Sequence, residues 1–445
     1  MEETLKNEKM YNSISNSQKS TDITLSPTNS NINSNSLNSP DFIFYETPIS
    51  FPEKNLKSPF IHFEKDKNNQ LLEEEKKELK NLLKRNSIEI PPLVIYESEN
   101  NNHPLINKKY MMKDEESNDG SIPWITENSL TNKHKGILKL HFEIIDFYNF
   151  IKLTESERKL RYKAYNKIME IINSKFPNYK GQIFGSFSQD LSLSNSDLDI
   201  YLHFKNCPSG RNEHIIILSN ILKTINKSRK FSKNHLITAR IPIIRCFHKN
   251  TGIKIDISIN RKCNYISNSN VKSLIKTNPC IQYLTLLIKF YLRQRKLNDV
   301  HQGGISSVLI LNLVYAYLLY TKKMNLFTEQ NLNLGSLLFG FFDFFGFKFQ
   351  FNKIEINNKF GGFFKPMLKD NVKIFVNSPI DEEENLSKNP FQFDKVILAF
   401  QNAYECLSSH NSDSKSYLAD FIIPNYPLRR RRKIIDKENE NFNLK

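Results

Sequence analysis

The residues best suited to chemistry lie in one stretch, GQIFGSFSQDLSLSNSDLDIYLHF, residues 181–204. Gly185 and Ser186 sit side by side, and Asp197 and Asp199 follow with a single residue between them. From Asp197 to Phe204 the chain alternates, with Leu198, Ile200, Leu202 and Phe204 on one side and Asp197, Asp199, Tyr201 and His203 on the other. In a strand that period puts both carboxylates on one face. Neighbouring carboxylates repel unless a cation sits between them, and hard oxygen ligands suit Mg²⁺ (or Mn²⁺). Gly185 lets the backbone come close to a ligand. Ser186 adds a hydroxyl, and the amides after it can face an anion. An anion cradle beside a two-carboxylate cation site points to a nucleoside triphosphate. The competing reading is a surface turn followed by an edge strand whose acids are simply solvated.

A third carboxylate weighs against that blander reading. In IKIDISIN, Ile253, Ile255, Ile257 and Ile259 share one face, while Lys254, Asp256 and Ser258 share the other. Asp256 alone reads as a solvated residue of a half-exposed strand. Beside the aspartate pair it completes a set of three carboxylates on adjacent strands. Such a set can hold two metals and activate a hydroxyl for in-line attack on an α-phosphate.

The elements that must position these groups follow from periodicity. Apolar residues at helical spacing predict helices over 138–151 and 155–175, with Pro177 closing the second, and over 212–229. ARIPIIRCF, a turn at 250–252 and IKIDISIN predict two strands. A helix over 281–296 carries Lys289 inside LTLLIKFYL, with Arg293 one turn on. Lys289 either snorkels to solvent or meets a phosphate. Gly303 and Gly304 open a loop, and Ser306 or Ser307 can cap the next helix.

Composition narrows the class. The 445 residues carry a net charge of +16, which favours a polyanionic partner. Cys207, Cys246, Cys263, Cys280 and Cys406 are scattered without a CxxC pair, which argues against a disulfide framework or a zinc site. The longest apolar run, residues 308–320, is too short to span a bilayer and reads as a core helix, so no membrane partner is expected. Residues 1–120 are rich in Asn, Ser, Lys and Glu and are expected to be disordered, apart from a short charged helix over 71–84.

With these motifs in order, the sequence resembles the nuclear noncanonical poly(A) polymerases of the DNA-polymerase-β-like nucleotidyltransferase superfamily, the catalytic subunits of TRAMP-type RNA surveillance complexes. The resemblance spans residues 123–407 and rests on PWI, LHFEIIDFYNFI, IFGSF followed by SDLDI, IPIIRCF followed by TGIKIDISIN, LIKFYLRQRKLNDVHQGGISS, LGSLLFGFFDFFGFKFQF and GGFFKP. It implies an α+β fold: a nucleotidyltransferase palm with a mixed sheet over 160–273, and a mainly helical central domain, the PAP-associated domain, built from 121–159 and 274–410. A basic tail, 411–445, would follow.

By resemblance Asp197, Asp199 and Asp256 are the metal-binding catalytic aspartates, with Mg²⁺ (or Mn²⁺) as cofactor. Gly185, Ser186, Lys289 and Arg293 would hold the triphosphate, Ser307 would contact the nucleotide, Asn264 the ribose and Asn385 the base. The chain departs from the family at Val308, where an aromatic usually stacks on the base; either the base is held loosely, which is the expectation here, or another aromatic, Tyr265 or Phe391, takes over from a different direction. Asn264 stands one residue later than the family spacing, with Asn260 as the weaker choice. The late loop VNSPIDEEENLSKNPF contains no His, which favours ATP over UTP. The implied activity is addition of adenosines from ATP to RNA 3′ ends. A terminal uridylyltransferase on the same scaffold and a catalytically weak RNA-binding scaffold remain open. Implied partners are a zinc-knuckle RNA-binding protein and an RNA helicase, and the implied location is the nucleus. Arg429, Arg430, Arg431 and Arg432 read as an import signal or an RNA-backbone contact.

Overall fold

Strict alternation builds the central sheet of the computed structural model. Lys180–Phe184 (β1), Leu198–His203 (β2), Phe231–Ile237 (β3), Ile243–His248 (β4) and Lys254–Ile259 (β5) lie in the order β1-β2-β5-β4-β3. Only the β2–β5 pair is parallel; the others are antiparallel. The structure describes residues 122–259, 268–324, 333–357, 363–367, 373–377, 385–387, 390–411, 414–424 and 428. The expectations for residues 1–120, Asn260, Asn264, Tyr265 and Arg429 to Arg432 fall outside the described residues.

The apolar face of the sheet forms one of two cores. Leu198, Ile200, Leu202, Ile255 and Ile257 are fully buried there. Helices Glu155–Asn173 (α2) and Arg211–Ser228 (α3) close over them with Ala164, Ile168, Ile172, Leu218, Ile221 and Ile225. Thr154 starts α2 with a reciprocal capping box to Glu157, which satisfies two otherwise orphaned backbone donors.

The second core is helical and rich in phenylalanine. Gly136–Ile151 (α1), Cys280–Gln294 (α5), Ser307–Lys323 (α6), Leu334–Asp343 (α7) and Phe393–Ser408 (α8) surround it. Edge-to-face rings such as Phe341–Phe400 and Phe351–Phe393 add directional contacts to burial. A buried carboxylate ties its ends together: Glu143 on α1 accepts hydrogen bonds from Trp124 Nε1, Ser416 Oγ and the amides of Tyr417 and Leu418. Burial raises its pKa, and these donors pull the other way. All described residues fall within the unit Lys65–Lys445. No described helix is long and apolar enough to cross a membrane.

Several details correct the periodicity reading. Phe231–Ile237 is an edge strand that the sequence did not reveal, because its polar residues alternate with only moderately buried ones. Strand β4 starts at Ile243, just after Pro242, which has no amide to give a ladder. Ser258 is buried, although its alternation partners Lys254 and Asp256 are only partly so. The short helix Asn268–Thr277 (α4) and the hairpin of Ile354–Asn357 (β6) with Phe363–Pro366 (β7) also carry no clear sequence signal.

His248, buried at the end of β4, gives a pH prediction. Its Nδ1 lies 2.9 Å from Thr251 Oγ1. Burial, then the nearby Lys163, Lys167 and Lys230, lowers its pKa from 6.5 to about 4. The unfolded chain therefore binds a proton that the folded chain refuses in this window. The corresponding stability is present above pH 6.5 and is lost as pH falls towards about 4. Melting temperature against pH should drop more steeply over that range in the wild type than in His248→Gln. Parallel curves would contradict it.

Candidate active site

The sheet register brings the two carboxylate motifs together. Asp199 on β2 lies directly opposite Asp256 on β5, and Phe184, the last residue of β1, lies opposite Asp199 on the other side. The chain then turns at Gly185 into a single helical turn, Gly185–Ser188. Gly185 has φ 69°, and a Cβ there would come within 2.6 Å of Asp199 Oδ2. Glycine is needed both for the left-handed backbone and for the close approach of the carboxylate. The turn is anchored by buried Phe187 and by the Leu191 amide, which donates to Ser186 O at 2.9 Å. Ser186 Oγ lies 3.3 Å from Ser192 Oγ.

Two of the three carboxylates already attract cations. Lys254 Nζ donates to Asp197 Oδ2 at 2.6 Å. Arg245 grips Asp256 with a fork, Nε to Oδ1 at 2.9 Å and Nη2 to Oδ2 at 2.7 Å. Its hydrogen bond to Asp256 raises the Arg245 pKa, burial opposes the rise, and the charges of Asp256, Asp197 and Asp299 add to it. Among the described residues no three His, Cys, Asp or Glu side chains converge as a ready metal cage. Asp199 and Asp256 therefore share a register, but the trio does not close into a cage, and Asp197 and Asp256 are each held by a basic neighbour. Three hard oxygen donors on one part of a sheet, two of them already paired with flexible cations, do fit a divalent ion.

The segment between the turn and the aspartates is braced from both cores. Buried Arg161 on α2 donates from Nη2 to the carbonyls of Leu193, Ser194 and Ser196 at 3.2, 2.8 and 3.4 Å. From α5, Gln282 donates to Asp190 O at 2.9 Å, Lys289 Nζ to Leu191 O at 2.8 Å and Arg293 Nη2 to Asn195 O at 2.9 Å. Asp190 also pairs with Arg158 at 2.6 Å. Lys289 is not a snorkelling lysine. It is 3% exposed, and burial, then the Arg293 charge, lowers its pKa to about 7 against the opposing pull of Asp199 and Asp197. Its ammonium thus lies in the field of the same aspartates.

The remaining candidates divide. Ser306, not Ser307, caps α6, accepting from the Leu309 amide at 3.1 Å. Ser307 and Val308 open that helix and are half-buried. Asn385 engages local backbone, with Oδ1 accepting from the Val376 and Ser387 amides at 3.2 and 2.9 Å and Nδ2 donating to Ile374 O at 3.2 Å. The motifs did not reveal Arg161, Arg245, Lys254 or Gln282. Lys254 had a signal, since it stands two residues before Asp256 on the same strand face. Arg161 had none, because the loop carbonyls that its Nη2 holds lie 32 to 35 residues away.

A mixed sheet carrying a Gly-Ser turn against paired aspartates on adjacent strands defines a nucleotidyltransferase palm. Residues 140–274 match the model of the central palm domain of mitochondrial-like poly(A) RNA polymerases. Poly(A) RNA polymerase protein 2 of Saccharomyces cerevisiae is 26% identical over 351 residues, covering 73% of this chain and 60% of that protein. Poly(A) RNA polymerase cid14 of Schizosaccharomyces pombe is 28% identical over 316 residues, covering 68% of this chain and 45% of its own length. The solved polymerase core of TRAMP, an RNA surveillance complex, superimposes with a TM-score of 0.61 at 26% identity, covering 68% of this chain and all of that one. The chain is similar to these poly(A) RNA polymerases, and the similarity to the family model lies in the palm. It spans roughly half the length of the curated relatives it matches.

Proposed function

We propose that the protein adds adenosines from ATP to RNA 3′ ends without a template. The observation that carries this reading is the placement of Asp199 opposite Asp256, against the Gly185 turn and in the field of Lys289. Asp197, Asp199 and Asp256 would hold Mg²⁺ (or Mn²⁺), which when bound neutralises triphosphate charge and makes the 3′-hydroxyl more acidic. Ser186 and the amides of its turn would receive the phosphates. Asp256 would orient the RNA 3′-hydroxyl and take its proton as that oxygen bonds to the α-phosphorus and pyrophosphate leaves. Lys289 and Arg293 would face the departing negative charge.

Lys289 gives a direct check. Lys289→Met keeps the buried stem and removes the charge. The KM for ATP should rise about tenfold or more, since charge-assisted hydrogen bonds to phosphate are among the stronger ones. The melting temperature should change little, because a desolvated ammonium is itself costly to bury. An unchanged KM would leave Lys289 with only its packing role.

The deciding experiment is 3′ extension of a labelled RNA with each nucleoside triphosphate separately, with Mg²⁺ and with chelator. Extension by ATP alone supports the reading. Extension by UTP alone would make the protein a uridylyltransferase, and no extension with any of them would make it a scaffold. A zinc-knuckle RNA-binding protein and an RNA helicase as partners, and action in the nucleus, belong to the same proposal. Co-purification from nuclear extract tests them.

A further inference from the structure

Arg161 on α2 is a fully buried cation. A buried charge is a costly way to fill a core, so its place calls for a further reason. Its contacts supply one. Residues 193–196 form a tight reciprocal turn: the Ser196 amide donates to Leu193 O at 3.0 Å, and Ser196 Oγ accepts from the Leu193 amide at 3.0 Å. The carbonyls that Arg161 Nη2 holds, those of Leu193, Ser194 and Ser196, all belong to this turn. Asp197 follows Ser196 directly, and β2 begins one residue later. The turn therefore delivers Asp197 into the site.

The same guanidinium reaches the other motif. Its Cζ lies 5.8 Å from the centre of the Phe187 ring, within cation–π range. Phe187 is the buried anchor of the helical turn that Gly185 opens. Nη1 donates back to Glu157 O at 3.4 Å, which ties the group to its own helix. One side chain on a rigid element thus touches both the Gly-Ser turn and the turn ahead of the aspartates.

We propose that Arg161 is a positioning residue for the divalent-cation site. By fixing the 193–196 turn relative to the Gly185 turn, it sets where Asp197 stands and so how tightly the ion is held. This rests on the reading of Asp197, Asp199 and Asp256 as ligands. Loss of a group that orients metal ligands typically weakens affinity roughly 10–100-fold. The sign is diagnostic. A nearby positive charge repels a divalent ion, so its removal without loss of geometry would tighten binding. Positioning predicts weaker binding.

The test is Mn²⁺ binding to the full chain without nucleotide or RNA, followed by loss of the free-ion paramagnetic resonance signal. Asp197→Ala defines the component that belongs to the site. Arg161→Met, which keeps a long unbranched stem, should raise the Kd of that component about tenfold or more. Arg161→Lys keeps the charge but not the planar fork, and its Kd should fall between the two. Wild-type affinity in Arg161→Met, even with a lowered melting temperature, would overturn the inference and leave the arginine a packing role. Tighter binding would also overturn it. If Arg161→Met does not fold, Arg161→Lys decides alone: a severalfold higher Kd supports the inference, and wild-type affinity sinks it. A wild type without any Asp197-dependent component would remove the ligand reading, and the inference with it. Binding needs no turnover, so a protein that holds Mn²⁺ in this way without extending RNA would refute the proposed activity and leave the inference standing.

Discussion

Asp199→Ala should abolish RNA extension while the protein still folds. Asp199 is the centre of the site: Phe184 flanks it on one strand, Asp256 on the other, and its Oδ2 fills the space that Gly185 leaves. Loss of one ligand from a metal-dependent phosphoryl-transfer site costs several kcal/mol at the transition state, on the order of 10²–10⁴-fold in rate. Folding should survive because the side chain is only partly buried, and the β2 core is made by Leu198, Ile200 and Leu202. Removing one of two repelling carboxylates even relieves strain between strands. Asp197→Ala and Asp256→Ala should act in the same direction. Single-turnover extension rates with circular dichroism as a folding control measure this. Activity near wild type in any of the three would mean that these carboxylates are solvated strand residues.

Gly185→Ala should be nearly as damaging, although it removes no functional group. Two costs coincide. A non-glycine residue at φ 69° is strained by roughly 1–2 kcal/mol. The added methyl would also sit 2.6 Å from Asp199 Oδ2, so either the turn or the carboxylate must move. A displacement of about 1 Å at a reacting centre can cost on the order of 10²-fold in rate. The expected signature is a rate loss of that size with a melting temperature lowered by only a few degrees. That pattern separates a displaced site from a collapsed fold. A variant with a normal rate would show that the close contact between turn and Asp199 is dispensable.

Both predictions start from residues that were already legible in the chain. The Gly-Ser pair, the spaced aspartates and the alternating isoleucines required a turn and two strands with acids on one face, since a period of two leaves no other arrangement. Lys289 was visible as a charge inside an apolar helix, because burying a charge needs a reason.

Tertiary structure decided the rest. The pairing of Asp199 with Asp256 depends on β2 and β5 lying side by side and parallel, although they are far apart in sequence. No local pattern encodes which strands become neighbours. The cation on Asp197, the hold of Arg161 on the 193–196 carbonyls and the seat of Phe391 on Gly303 all join distant segments. Residue types and their period determined which groups could do chemistry and which way they face along one strand. Long-range packing alone determined which of them meet, because side-chain contact across strands and helices is set by the whole core and not by spacing along the chain.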